Sequence, residues 1–99
     1  MSRKSIIMPG AARDLDEARD WYDEQSSGRG LLFLKAVEQK VEFVRNNPEL
    51  FAIQHRRGRV AKVDRYPYII VFTIDGNYVV IFAITHTSRA PETWQSRIP

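Results

Sequence analysis

The chain lacks cysteine, and it lacks any long apolar segment. Without cysteine there is neither a disulfide framework nor thiolate chemistry, which agrees with a protein of the reducing cytoplasm. The apolar runs are much shorter than the roughly 20 residues of a membrane-spanning helix, so we expect no membrane contact. Near the N-terminus, Pro9 and Gly10 end the short run Ile6-Ile7-Met8, and we therefore expect no signal peptide there.

Several sequence motifs of enzymes are also missing. We find no phosphate-binding P-loop, no glycine fingerprint for a dinucleotide and no nucleophile elbow of a hydrolase. Asp16 and Asp20 would share one face of a helix, but no histidine or cysteine accompanies them. Acidic residues on a helix surface are usually solvated. The sequence thus predicts neither a metal site nor a bound cofactor.

What is present is enough apolar sequence for a single domain over residues 1–99, with an uneven charge. Apolar residues make up 43% of the chain, and the net charge is +3. Residues 1–51 carry a net charge of −1, whereas residues 52–99 carry +4. One interpretation is that this charge binds an anionic target, and the other is that it protects an edge strand from aggregation. The residues predicted to bind a target are Arg56, Arg57, Arg59 and Arg65.

The spacing of apolar residues predicts two helices, which follow a short strand at residues 3–8. In the first helix, from residue 11 to about 25, Leu15, Ala18 and Tyr22 recur at helical spacing. Trp21 lies beside this face and is expected to join the core. The second helix begins near residue 31 and ends before Pro48, because the residue before proline avoids the α region. The short connection between them predicts an antiparallel helical hairpin.

Strands dominate the second half of the chain. Two strongly apolar runs, residues 68–74 and 78–82, flank Asp75-Gly76-Asn77, which is typical of a tight β-hairpin. Their near-continuous apolarity indicates strands that are covered on both faces. Weaker strands at residues 51–56 and 59–63 precede them, and Trp94 is expected to anchor the C-terminal tail. The predicted fold is α+β: an N-terminal strand, an α-helical hairpin, then an antiparallel β-sheet of about four strands.

Three polar residues near the ends of these strands are candidates for chemistry. Histidine can transfer protons near neutral pH, and His86 lies where the last strong strand is expected to end. Arg89 follows three residues later, and a guanidinium can stabilise the charge of a phosphate. Lys62 approaches the hairpin from the preceding strand. Each also has a simpler structural interpretation, such as a hydrogen bond to the backbone or a surface ion pair.

Four segments together resemble the RelE/ParE superfamily, the small toxins of bacterial type II toxin–antitoxin pairs. The segments are AARDLDEARDWYDEQ, VRNNPELF, RYPYIIVF and AITHTSRAPETWQSR, and their order and spacing match over almost the whole chain. One branch of this superfamily cleaves messenger RNA in the ribosomal A site by means of basic residues. The other branch poisons DNA gyrase and has no known nuclease site. The fold that the resemblance implies is the one predicted above.

The details of the resemblance favour the gyrase-targeting ParE branch. Ile69 stands where the nuclease branch commonly has an arginine, and Trp94 and Gln95 occupy the region of its C-terminal tyrosine. The form RYPYIIVF, and the ending with Arg-Ala-Pro before a tryptophan, are more similar to the ParE branch. If the chain were instead a ribosome-dependent mRNA endoribonuclease, the resemblance would assign its catalytic roles to Arg89, His86 and Lys62.

The resemblance implies a growth inhibitor whose partners are DNA gyrase and a cognate antitoxin protein. The alternative partners are the ribosome and its mRNA, and a third possibility is a degenerate member that binds only an antitoxin-like protein. We expect the antitoxin to contribute a helix, a strand or both, and to fold on binding. A free sheet edge and apolar residues left exposed on the second helix, namely Leu31, Leu32 and Leu34, would receive it.

Overall fold

The computed structural model describes residues 2–99, which form one mixed sheet with helices on both faces. The elements in chain order are β1 (Lys4–Ile7), α1 (Pro9–Gln25), α2 (Arg29–Asn46), a 3₁₀ turn (Pro48–Leu50), β2 (Ile53–His55), β3 (Gly58–Lys62), β4 (Tyr68–Asp75), β5 (Tyr78–His86) and α3 (Glu92–Gln95). None of the helices among these residues is both long and apolar enough to cross a membrane.

The strand order in the sheet is β1-β5-β4-β3-β2. Strands β2 to β5 pair with one another in antiparallel fashion, which confirms the predicted antiparallel sheet of about four strands. The N-terminal strand extends this sheet, because β1 pairs in parallel with β5. A parallel pair needs a long connection between its strands, and the helical hairpin with the intervening strands provides it.

The larger core lies between the helical hairpin and one face of the sheet. Helix α2 contributes Phe33, which is fully buried, and α1 contributes Tyr22, whose ring stacks on Phe33 with centroids 5.0 Å apart. Tyr66 and Tyr68 pack edge-to-face against Phe33 at 5.2 and 4.9 Å. This aromatic cluster attaches the hairpin to the start of β4, since large rings bury more apolar area than any other side chains.

The two helices are in close contact where α2 begins. The backbone N–H of Gly30 donates to Oδ1 of Asp23 at 2.8 Å. A Cβ at position 30 would lie 2.7 Å from the carbonyl oxygen of Arg19, so only glycine fits there without a shift of α1.

A smaller core covers the opposite face of the sheet. Trp94 of α3 and Ile98 are 5% and 4% exposed, and they pack against the fully buried Val71 and Ala83. The prediction that Trp94 anchors the C-terminal tail is therefore confirmed. The central strands β4 and β5 are covered on both faces, as their near-continuous apolar sequence indicated.

A bulge in β5 shifts its pairing with β4 by one residue. Val71 pairs with Ala83 whereas the next residue, Phe72, pairs with Ile81, so Phe82 is an extra residue in β5. A bulge interrupts the simple alternation of side chains between the two faces. The strand continues to His86, which pairs with Tyr68 at the start of β4.

Candidate functional site

The four arginines predicted to bind a target lie in different surroundings. Arg56 and Arg57 are exposed in the tight turn between β2 and β3, where Arg56 has a positive φ of 52°. Arg65 is exposed in the turn between β3 and β4, at the other end of β3. The guanidinium of Arg59 is half-buried, and its Nη1 donates to the carbonyl of Phe51 at 2.8 Å. The structure thus brings only Arg56 and Arg57 together.

Lys62 lies on the sheet face that carries α3. Its neighbour across the strands is Ile69, which packs against the smaller core. The ammonium Nζ donates to the carbonyl oxygens of Val63 and Tyr66 at 3.1 and 3.0 Å. Two carbonyl acceptors within the next turn hold this charge, so Lys62 stabilises the connection from β3 to β4.

His86 and Arg89 line a cleft between α1 and the ends of β4 and β5, which we call the α1–β5 cleft. It consists of two adjoining cavities that share Trp21, Tyr68 and His86. The smaller cavity, of about 170 Å³, also contains Arg89. The larger cavity, of about 440 Å³, also contains Arg29, the first residue of α2. The structure therefore brings His86 and Arg89 together but places Lys62 on the other face of the sheet.

Trp21 is not a core residue, and the prediction that it joins the core is wrong. Its side chain is 53% exposed, although it meets the ring of Tyr22 edge-to-face at 5.0 Å. The buried stripe of α1 runs through Ala11, Ala18 and Tyr22. Trp21 is one residue off that stripe, which is about 100° around a helix, and this rotation turns it to the cleft.

The hydrogen bonds of His86 determine which ring nitrogen can meet a ligand. Nδ1 accepts a hydrogen bond from the backbone N–H of Ser88 at 3.0 Å, and the ring meets Tyr68 edge-to-face at 5.3 Å. A nitrogen that accepts carries no proton, so the proton of the imidazole lies on Nε2. Nε2 is therefore the ring nitrogen of His86 that is left to meet a ligand.

The tyrosines of the cleft remain protonated well above neutral pH. Burial raises the pKa of Tyr68, and the nearby positive charge of Arg89 offsets only part of this rise. Burial also raises the pKa of Tyr22, and repulsion from Tyr68 and Tyr66 adds to the effect. Their hydroxyl groups can therefore donate hydrogen bonds, and they do not supply a phenolate for chemistry at neutral pH.

An ion pair that sequence reasoning missed connects α1 with the C-terminal tail. Nη1 and Nη2 of Arg97 donate to the two carboxylate oxygens of Asp14 at 2.6 and 3.2 Å. Asp14 also accepts from the backbone N–H of Ile84, and Arg97 donates to the carbonyl of Phe82. The hydrogen bond to Asp14 is the main reason that the pKa of Arg97 is raised. One signal was present in the sequence, because Asp14 lies at helical spacing from the apolar Ala11 and Ala18.

A groove runs along β1, between this strand and the helical hairpin. Its volume is about 340 Å³, and Ile7, Leu15, Val37 and Val41 are among its lining residues. The backbone N–H of Lys4 donates to the carbonyl of Asn77, just before β5, and that of Met8 donates to the carbonyl of Ile81 in β5. Alternation along the strand therefore turns the N–H groups of Ser5 and Ile7 outward, away from β5.

Comparison with known proteins agrees with this geometry. A solved structure described as the chromosomal ParDE toxin–antitoxin system from P. aeruginosa superimposes with a TM-score of 0.76. The match covers 86% of this chain and 96% of that chain at 19% sequence identity, so it establishes a shared fold. A search of curated proteins finds no match.

The chain thus shares its fold with a protein of that toxin–antitoxin system. The family model for the ParE toxin of the type II toxin–antitoxin system parDE matches residues 6–91. Because this match spans most of the sequence, the chain belongs to the ParE toxin family. The resemblance inferred from the four sequence segments is confirmed.

Proposed function

We propose that this ParE-family toxin inhibits growth by acting on DNA gyrase in the cytoplasm, and that a cognate antitoxin neutralises it. The antitoxin part of the proposal rests on the apolar groove beside the outward-facing backbone groups of β1. An extended peptide can add a strand to such an edge and place alternate side chains in an adjacent groove. The exposed side chains of Ile6 and Ile7, at 42% and 44%, add apolar area for this contact.

The exposed start of α2 is a second apolar area for the antitoxin. Leu31 and Leu32 are 56% and 58% exposed, as predicted, whereas Leu34 is only half-exposed and lines the groove beside β1. Exposed apolar residues in this number are a usual mark of an interface. An antitoxin segment that follows the groove from β1 to α2 would cover both areas.

The positions of the candidate catalytic residues support gyrase inhibition over RNA cleavage. His86 and Arg89 lie in the α1–β5 cleft, while Lys62 is on the other sheet face with its ammonium bonded to two carbonyls. General acid–base catalysis requires its groups within hydrogen-bond reach of one reacting centre. The runner-up remains a ribosome-dependent mRNA endoribonuclease of the RelE type, in which Lys62 would have to leave its present position.

An assay of purified proteins separates the two targets. We expect the chain to inhibit supercoiling of relaxed plasmid by gyrase, and we expect the antitoxin encoded beside it to restore the activity. Primer extension on translated mRNA should yield no site-specific cuts. Cuts that disappear in both His86→Ala and Arg89→Ala would contradict the proposal and establish the nuclease.

The exposed arginine turn is a candidate contact with the gyrase complex. Charge reversal in the double variant Arg56→Glu/Arg57→Glu should weaken inhibition of gyrase, because an anionic target would then be repelled. The matched control is Arg13→Glu, which changes an exposed arginine on α1. Equal inhibition by the double variant and the control would remove the turn from the target site.

A further inference from the structure

The α1–β5 cleft has aromatic walls that neither the family match nor the proposed function assigns to a role. Trp21 on α1 forms one wall, with about half of its surface exposed. Tyr68 and His86, paired across β4 and β5, form the other. Most exposed residues of this chain are polar or charged, and a half-exposed tryptophan that lines the same cavities as two other rings provides a surface on which a flat ring can stack.

The larger cavity of this cleft is positively charged. Arg29 lines it, and no carboxylate is among its lining residues. Within residues 2–99, Arg29 forms no ion pair or side-chain hydrogen bond. Arg29 is also the first residue of α2, where the helix dipole favours an anion. An anionic group beside Arg29 would therefore gain a free guanidinium without displacing a carboxylate.

The smaller cavity contributes a second cation and is less favourable for an anion. Arg89 is exposed there, but Glu17 lines the same cavity and offsets part of its charge. Asp14 lines this cavity as well, and its charge is neutralised by the two hydrogen bonds from Arg97. The side toward Arg29 is consequently the better position for a negatively charged group.

Polar groups in the cleft can form hydrogen bonds with the edge of a ring that stacks there. Nε2 of His86 presents a donor, and the protonated hydroxyl of Tyr68 presents another. The amide of Gln25, which also lines the larger cavity, can donate and accept. Stacking surface, edge-directed polar groups and an adjacent free guanidinium match the three parts of a nucleotide, namely a base face, a base edge and a phosphate.

We propose that the α1–β5 cleft binds a nucleotide, with its base stacked on Trp21 and its phosphate on Arg29. The binding is tolerant of sequence, since every base offers a π face. The nucleotide is either free or part of a single strand, and Arg89 contacts a neighbouring phosphate in the second case. This binding is measured on the chain alone and does not rest on the antitoxin or on gyrase.

Fluorescence anisotropy of a labelled oligothymidylate, titrated with the full chain at low salt, tests the proposal. Trp21→Ala should weaken binding roughly tenfold or more, whereas Trp21→Phe keeps a stacking ring and should retain most of the affinity. Arg29→Ala should weaken binding and reduce the slope of log affinity against log salt by about 0.7, because one phosphate contact with a single strand is lost. Free thymidine monophosphate as competitor distinguishes the two sources: it displaces the strand if a single nucleotide suffices.

An abasic strand of equal length is the decisive control. The abasic strand keeps the phosphates but lacks the bases. Its affinity for the unchanged chain should therefore equal the affinity of the intact strand for the Trp21→Ala variant. Arg13→Ala and Leu31→Ala change exposed residues outside the cleft and should leave binding unaltered. Equal affinity for abasic and intact strands, or equal losses in Arg13→Ala and Arg29→Ala, would overturn the proposal. The proposal would also be overturned if an acidic peptide displaced the strand and the affinity of the strand did not depend on Trp21.

Discussion

The two edges of the sheet differ in how well they resist pairing with another strand. At one edge, β2 has only three residues, its register with β3 shifts between Ile53 and His55, and two exposed arginines follow it. Short length, a bulge and charged residues are the usual features that protect an edge. At the other edge, β1 keeps a regular register over its four residues and exposes Ile6 and Ile7. On our proposal, β1 and not β2 is therefore the edge that receives the antitoxin.

The unprotected edge is limited to β1 by the ion pair of Asp14 and Arg97. Strand β5 is longer than β1, and it continues beyond Ile81, where its pairing with β1 ends. There the N–H of Ile84 and the carbonyl of Phe82 bond to Asp14 and Arg97. These two side chains occupy the place that a further strand would take. The open edge is therefore a short segment flanked by a closed one.

The largest effect is expected from a charge placed on the open edge. Ile7→Lys puts an ammonium over the apolar groove and should reduce affinity for the neighbouring antitoxin by roughly 100-fold. Ile53→Lys makes the same change on β2, where Ile53 is 55% exposed, and should leave the affinity nearly unchanged. Isothermal titration calorimetry measures the affinity of each variant for the antitoxin. A similar loss for Ile53→Lys would show that the two edges are equivalent for the partner.

A smaller effect, on folding stability, is expected where Asp14 and Arg97 close the edge of β5. Asp14→Ala leaves the N–H of Ile84 without its acceptor and separates a half-buried ion pair, so we expect a loss of about 2 kcal/mol in the free energy of unfolding. Asp16→Ala removes an exposed ion pair with Arg19 and should cost less than about 0.5 kcal/mol. Urea unfolding measures both variants. Equal losses would mean that the edge of β5 needs no such closure.

The elements of the fold were predictable because their signals are local. Gly76 takes the positive φ of 57° in the turn between β4 and β5, a conformation that favours glycine, and the apolar runs on either side form the hairpin. Asn47-Pro48 ends α2 at the predicted place. The pairing of β1 was not predictable, since four residues without alternation carry no information on their neighbour in the sheet.

The candidate site was predicted only in part, because it depends on contacts between distant segments. His86 and Arg89 lie near each other in sequence and share one cleft, but the strand alternation that separates Lys62 from them follows from the register of β3 and β4. Arg29 enters the cleft through the packing of α2 on α1, which the sequence pattern does not specify. Asp14 and Arg97 are 83 residues apart, and nothing in the sequence near either residue indicates that they pair.

The smallest effect is expected at the protected edge of the sheet, at β2. Here two arginines that the sequence analysis placed in one group, Arg57 and Arg59, should differ in their contribution to folding stability. Arg59→Ala removes the hydrogen bond to the carbonyl of Phe51, at 2.8 Å and half-buried, and should cost about 1 kcal/mol in unfolding free energy. Arg57→Ala changes an exposed turn residue and should stay within about 0.5 kcal/mol. If Arg57 contacts the target, gyrase inhibition should fall in Arg57→Ala although its stability is unchanged. The reverse pattern, with stability lost in Arg57→Ala and kept in Arg59→Ala, would contradict a stabilising role for the hydrogen bond from Arg59 to Phe51.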